Sequence, residues 1–266
     1  MLPTSDPDTV EFLTRGRIEV EGRLVDASNT TLFCSIRAAG VEAECVYKPV
    51  SGERSLWDFP DGTLAGREIA TYLVSQAGGF YVVPPTVLRP GPFGPGMVQL
   101  WIDTKEHDDL VDVVEPREVP SGWRVVLHAH DRFGEPAVLA HADHPGIKLM
   151  AALDVVVNNA DRKGGHVLHG TDGGVYGVDH GICLHTEHKL RTVLWGFCAE
   201  GLPGEVVEAL RRLRDALAGE ELPDALNDHI TRREVAALRN RVKRLLATGT
   251  YPEPNGEWRQ VPWPAF

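Results

Sequence analysis

Four groups of residues in this chain have types and spacings suited to phosphate chemistry. Lys48, in Val46-Tyr47-Lys48-Pro49, ends a β-prone run, where an ammonium can project into a cleft and meet phosphate oxygens. Glu68 lies 20 residues on, inside a helical pattern, and supplies a carboxylate that can hold such a lysine in place. The segment Asn158-Asn159-Ala160-Asp161-Arg162-Lys163-Gly164-Gly165-His166 follows an apolar helix. In it, Asp161 can accept or orient the proton of a hydroxyl, Arg162 can hold Asp161 or a phosphate, and His166 stands where a second metal-binding group would be needed. Val178-Asp179-His180-Gly181 places a carboxylate at the end of a predicted strand, before a glycine turn, where it can bind a hard divalent cation. Each group also has an ordinary reading: a surface lysine, an exposed helix glutamate, a polar turn capping a helix, and a β-turn aspartate. Their order along the chain is what lifts them above it.

The elements that must position these residues follow from periodicity. Arg17–Val25, Thr31–Ile36 and Cys45–Tyr47 read as short strands, with Asp26 to Thr30 as a polar turn between the first two. Residues 51–62 form a Gly/Pro/Asp-rich loop with Trp57 and Phe59. A helix is predicted over Leu64–Gln76, ended by Gly78-Gly79. Val82–Leu88 reads as an edge strand or connector, 89–96 as a tight turn, and Met97–Ile102 as a buried strand. The second half reads as mainly helical. It has helices over 145–158, 204–218 and 231–247, a hairpin from 166–168 and 175–178, and an extended Pro- and Trp-rich strap over 249–266.

Composition bounds the function. The chain has 266 residues, 42% hydrophobic and 24% charged, as in ordinary globular proteins, and no apolar run approaches a membrane span. The net charge of −11 repels phosphate backbones and anionic lipid surfaces, so neither nucleic acid nor integral membrane association is expected. Cys34, Cys45, Cys183 and Cys198 form no CxxC pair and read as free thiols in a reducing cytoplasm. No signal peptide is expected, and no Walker-type glycine loop is present.

Lys, Glu, connector strand, Asp-Arg loop and Asp-x-Gly, in that order, are the parts of a kinase-type phosphotransferase. On Leu153 to Arg162, Val175 to Gly181, Val46 to Pro49 and Gln99 to Trp101, the chain resembles the phosphatidylinositol 3-/4-kinase-like superfamily. It is most similar to the type II phosphatidylinositol 4-kinase branch and to a group of small actinobacterial relatives, over roughly residues 17–200. The resemblance implies an α+β, bilobal, atypical protein-kinase-like fold with a β-rich N-lobe and a mainly helical C-lobe. The corresponding division is 1–102 with the hinge, 103–248, and a tail 249–266. It implies ATP with Mg²⁺ or Mn²⁺ as cofactors. Lys48 would contact the α/β-phosphates, with Glu68 as its partner. Ser28, Asn29 and Thr30 would lie in the phosphate-covering turn, and Gln99, Leu100, Trp101 and Ile102 in the adenine-reading hinge. Asp161, with Arg162, would be catalytic and Asp179 the main metal ligand. The family has Asn where this chain has His166, and imidazole suits Mn²⁺ better than Mg²⁺.

The expected activity is transfer of the γ-phosphoryl group of ATP to a hydroxyl, of a protein in the first instance, including the chain's own. The cationic run His185, His188, Lys189 and Arg191 is a candidate acceptor surface. Phosphatidylinositol or a small molecule are alternative acceptors. Two other readings compete: a nucleotide-binding pseudokinase, suggested by His166, and a metal-dependent phosphohydrolase. The latter would use the spaced pairs His128/His130, His141/His144, His166/His169 and His185/His188, or the dyad His107-Asp108.

Overall fold

The computed structural model describes residues 4, 7–24, 29–54, 56–130, 133–254 and 260–266. Strands β1 (Arg17–Arg23), β2 (Leu32–Ala38), β3 (Val41–Pro49), β4 (Thr86–Gly91) and β5 (Gly94–Leu100) form one antiparallel sheet in the order β1-β2-β3-β5-β4. Its inner face buries Cys34, Ile36, Cys45, Tyr47 and Val98, and α1 (Pro7–Arg15) covers it with Leu13. The sequence reading left residues 7–15 without an element. The segment is acidic and polar, with few apolar residues to mark a helical face.

The hairpin β4–β5 closes around one ring. Tyr47 Oη donates to Gly94 O at 2.7 Å and accepts from Phe93 N at 3.2 Å. A Cβ at Gly91 or Gly96 would stand 2.6 or 2.5 Å from the Tyr47 ring, so the segment read as a tight turn needs its glycines for this close approach.

Helix α2 (Leu64–Gly78) is capped by Thr63, whose hydroxyl accepts from Gly66 N, and ends at Gly79 in the left-handed region (φ 71°). It joins two cores. Ala65 and Ile69 pack with Met97 of the sheet, while Ala70, Tyr72 and Val74 belong to the large core of the second half. There α3 (Pro145–Val157), α4 (Gly204–Ala218), α5 (Glu221–Asn227) and α6 (Arg232–Thr248) assemble around Ile147, Met150, Leu210 and Leu238. The expected hairpin is present as β9 (Val167–His169) with β10 (Val175–Gly177), antiparallel.

The structure is α+β, with a β-sheet-rich N-terminal part and a C-terminal part built on helices, as expected. One sheet was not foreseen: β6 (Val111–Val114), β7 (Trp123–His130) and β8 (Pro136–Ala142), in the order β6-β8-β7. Only central β8 is well buried. The edge strands are half exposed and interleave His, Arg and Asp with apolar residues, which weakens their alternation. Residues 260–266 run as the expected strap. Gln260 O accepts from Thr192 N and Trp195 Nε1, Ala265 O accepts from Gly164 N at 2.8 Å, and the Phe266 ring lies on Gly164.

The two halves are also joined by a buried ion pair. Arg67 of α2 donates to Glu234 of α6 at 2.7 Å, with the side chains 1% and 4% exposed. Glu234 closes the capping box of α6 with Thr231, and Arg67 also reaches the carbonyls of Asp61 and Cys183. Removing one member of such a pair strands the other charge away from water. Arg67→Met is therefore expected to lower unfolding free energy by about 3–5 kcal/mol in urea denaturation, with the slope on denaturant unchanged.

Candidate active site

Lys48 lies near the end of β3, opposite Met97 of β5. Its Nζ donates to Glu68 Oε1 and to Asp179 Oδ1, both at 2.7 Å. Glu68 is buried on α2, and its second oxygen accepts the backbone N–H of His180 at 2.8 Å. One carboxylate thus fixes both the lysine and the turn that carries Asp179. Burial alone would push the Lys48 ammonium down; Asp179 and Glu68 outweigh it and hold the group above its ordinary value. Lys48, in turn, holds the Asp179 carboxyl well below the usual range against burial, with His166 adding to the effect. Asp179 has φ +62°, a left-handed backbone that a non-glycine residue adopts at a cost, as functional turns often do.

The Asp161 loop is built from beneath. Asp154 sits in the middle of the apolar helix α3 at 0% exposure. Its carboxylate accepts from Arg162 Nε and Nη2, from Asn159 Nδ2 and from Thr192 Oγ1. Asn159 Oδ1 then accepts the Asp161 N–H at 2.9 Å. Arg162, also at 0% exposure, reaches His166 O, Val178 O and His180 Nε2 as well. Expected at Asp161 or a phosphate, this guanidinium is enclosed and holds the backbones of the 161–166 and 178–180 segments together.

The Asp161 carboxylate makes no hydrogen bond among the described residues. Burial raises it to about 6, Lys163 opposes the rise, and Asp179 adds to it. His166 Nε2 is 3.4 Å from Asp179 Oδ2, and its buried Nδ1 has no hydrogen-bond partner among the described residues. Burial pushes this imidazole down to about 4, leaving it neutral near pH 7.

Lys48, Asp161, His166 and Asp179 line one cavity of about 650 Å³, within the range of small-ligand sites. Gln99, Leu100, Trp101 and Ile102, expected as a hinge, line the same cavity. Gln99 is buried, with its side-chain amide donating to Thr86 Oγ1. Val46 and Leu168 supply apolar walls. Of the expected phosphate-covering turn, Ser28 lies outside the described residues. Asn29 Oδ1 accepts from Arg54 N and Thr30 N donates to Gly52 O, so both are tied to the 50–54 turn, while Thr31 reaches the cavity.

The other histidines are dispersed. His141 is buried between Gly196 N and Ala142 O, His144 caps α3, and His169 Nδ1 lies 3.0 Å from Asp108 Oδ2. Among the described residues, no group of three or more His, Cys, Asp or Glu could hold a metal ion. The cationic run after Asp179 does not form one patch. Lys189 pairs with Asp58, His185 meets the Phe59 ring edge-on, and Arg191 acts electrostatically on Asp161. No described helix is long and apolar enough to cross a membrane. Cys34, Cys45 and Cys183 are buried free thiols, and Cys198 is exposed.

Sequence reasoning missed Asp154, Thr192 and His180 as the supports of this site. Asp154 had a signal: a carboxylate inside Leu149 to Val157 cannot be buried without partners, so it had to be met by a cation and donors.

No protein-family model matches the chain. Among curated proteins, Protein Rv2133c of Mycobacterium tuberculosis (strain ATCC 25618 / H37Rv) is 49% identical over 268 residues, covering 97% of this chain and 96% of that protein. Solved structures resembling the chain include the Helicobacter pylori proinflammatory kinase CtkA, with TM-score 0.48 and 10% identity over 90% of this chain and 94% of that one. The Golgi casein kinase has TM-score 0.45 and 13% identity over 91% and 74%.

The raised Asp161 carboxyl has a consequence for stability. Its protonated form is favoured in the folded chain, so its contribution is fully present below about 3.8 and is lost as pH rises to about 6. Asp161→Asn removes that loss. The melting temperature of the variant minus that of the natural chain is expected to grow between those two pH values and to level off above them in differential scanning calorimetry.

Proposed function

Taking as premise that the chain belongs to the family of the mycobacterial Protein Rv2133c, a name that states no activity, we propose from the site itself that it is an ATP-dependent phosphotransferase. The γ-phosphoryl group of ATP passes to a hydroxyl, that of a protein in the first instance, including one on the chain itself. The observation that carries this reading is the bridge of Lys48 to both Glu68 and Asp179 at the wall of the cavity that Asp161 and the 99–102 segment also line.

In this reading the adenine lies against the 99–102 backbone and the apolar walls, and Lys48 meets the α/β-phosphates. Asp161 accepts the proton of the acceptor hydroxyl or aligns it, and its free carboxylate near pKa 6 is suited to proton transfer near neutral pH. Lys163 and Arg191 supply positive charge beside it. Arg162 is a positioning residue, since its bonds are all internal.

The donor set fits a divalent cation. The Asp179 carboxylate is half exposed, and the neutral His166 imidazole faces it. Asp179 and His166 would hold the ion, which supplies charge neutralisation at the phosphates when bound. An N,O pair with imidazole favours Mn²⁺ over Mg²⁺. Phosphatidylinositol and small-molecule hydroxyls are the alternative acceptors, and a nucleotide-binding chain without turnover is the alternative that His166 supports.

Incubation with γ-labelled ATP, in Mg²⁺ and in Mn²⁺ separately, is the test. Label on the protein is expected, and Asp161→Asn should lower transfer by about 10²–10⁴-fold while nucleotide affinity is kept. Equal transfer by that variant would refute the role of Asp161. No ATP consumption by the natural chain in either metal would establish the non-turnover alternative. The rate should fall on the acid side with a midpoint near 6, because protonated Asp161 can no longer accept the hydroxyl proton. His166→Asn should retain activity and raise the ratio of Mg²⁺- to Mn²⁺-supported rates.

A further inference from the structure

A second cavity, also of about 650 Å³, shares no residue with the first. Arg241 and Arg244, one turn apart on α6, line it together with His188, Leu190, Leu245 and Tyr251. Arg241 is 7% exposed. Its Nε donates to Val156 O at 2.7 Å and its Nη1 to His185 O at 3.0 Å. Its Nη2 is buried with no hydrogen-bond partner among the described residues.

Among the described residues, the two other buried guanidinium groups each have a carboxylate: Arg67 has Glu234 and Arg162 has Asp154. Arg241 forms no ion pair among the described residues, and Glu234, already paired with Arg67, only partly offsets its burial. The strain shows on the neighbours. Burial, with Arg244 adding to it, pulls Arg241 down to about 10. His188 is lowered by burial and then by Arg244 and Arg241, which leaves it a neutral donor. Glu253 is the acidic residue on this lining; it is exposed and pairs with neither arginine among the described residues.

We infer that this cavity is a binding site for a phosphate dianion, held by Arg241 Nη2 and Arg244 with His188 as a further donor. Arg244 can present its planar fork to a tetrahedral oxyanion with two parallel bonds, Arg241 adds its remaining Nη2 donor, and an anion here supplies a counter-charge. Leu190, Leu245 and Tyr251 leave apolar room beside it for an organic group on a phosphomonoester. The site does not depend on phosphoryl transfer at Lys48.

Isothermal titration with inorganic phosphate, at ionic strength matched with chloride, tests the assignment. The natural chain and Lys48→Met are run side by side, so that phosphate held at Lys48 is recognised by its loss in the variant. Saturable binding in the millimolar range is expected in both. Arg244→Gln, at an exposed position, should weaken it at least ~10-fold and Glu253→Gln should strengthen it. Arg241→Met should abolish it in a chain whose fold is confirmed by circular dichroism. Should that variant fail to fold, Arg244→Gln still decides. No saturable binding in Lys48→Met, or binding unchanged by Arg244→Gln, overturns the proposal. Phenyl phosphate in parallel identifies the source: tighter binding than inorganic phosphate points to a monoester, equal binding to the free anion, and both support the site.

Discussion

The buried ion pair between Asp154 and Arg162 is the constraint on which the site rests. Both side chains are at 0% exposure, and together they gather the end of α3, the Asp161 loop, the 164–166 turn and the strand leading to Asp179. A buried pair of this kind contributes little net stability over an apolar replacement. What it contributes is geometry. The guanidinium fork has five donors in fixed directions, and four acceptors from three segments converge on it. Losing either partner would release all three segments at once.

Above that support, the cavity carries charges of both signs. Asp161 and Asp179 line it with the cations Arg23, Lys48 and Lys163, and Glu68 holds Lys48 from behind, in a chain of net charge −11. Asp161 is raised chiefly by burial, with Lys163 opposing the rise and Asp179 adding to it. The chain thereby holds one partly buried carboxyl raised to about 6.

How far the sequence was legible depended on where each element's signal lies. Helix α3 announced itself through its apolar run, and α2 through Thr63 and Gly79 at its ends. Lys48, Glu68 and Asp179 were legible through order and spacing, because a strand lysine needs a helix carboxylate to hold it and Asp179 stands at a strand end before a glycine turn. The sheet β6-β8-β7 was not, since its edge strands carry polar residues on both faces. Arg162 was legible as important and misplaced in role: an arginine beside a catalytic-type aspartate reads as solvent-facing unless the partner eight residues earlier is recognised. Asp154 was hidden by the length of the apolar run around it. The pairing of Asn29 and Thr30 with the 50–54 turn depends on contacts between segments some 20 residues apart, which no local pattern encodes.

The strap over residues 260–266 sets a temporal order. Its Ala265 carbonyl and Phe266 ring close on Gly164, in the turn that carries His166, across about 100 residues of chain. A ribosome releases residues from the N-terminal end, at roughly 5–20 per second. The lysine, the glutamate and both aspartates therefore emerge seconds before the segment that clamps the turn between them. During that interval the nascent chain holds the side chains that line the cavity without the clamp that fixes the 164–166 turn.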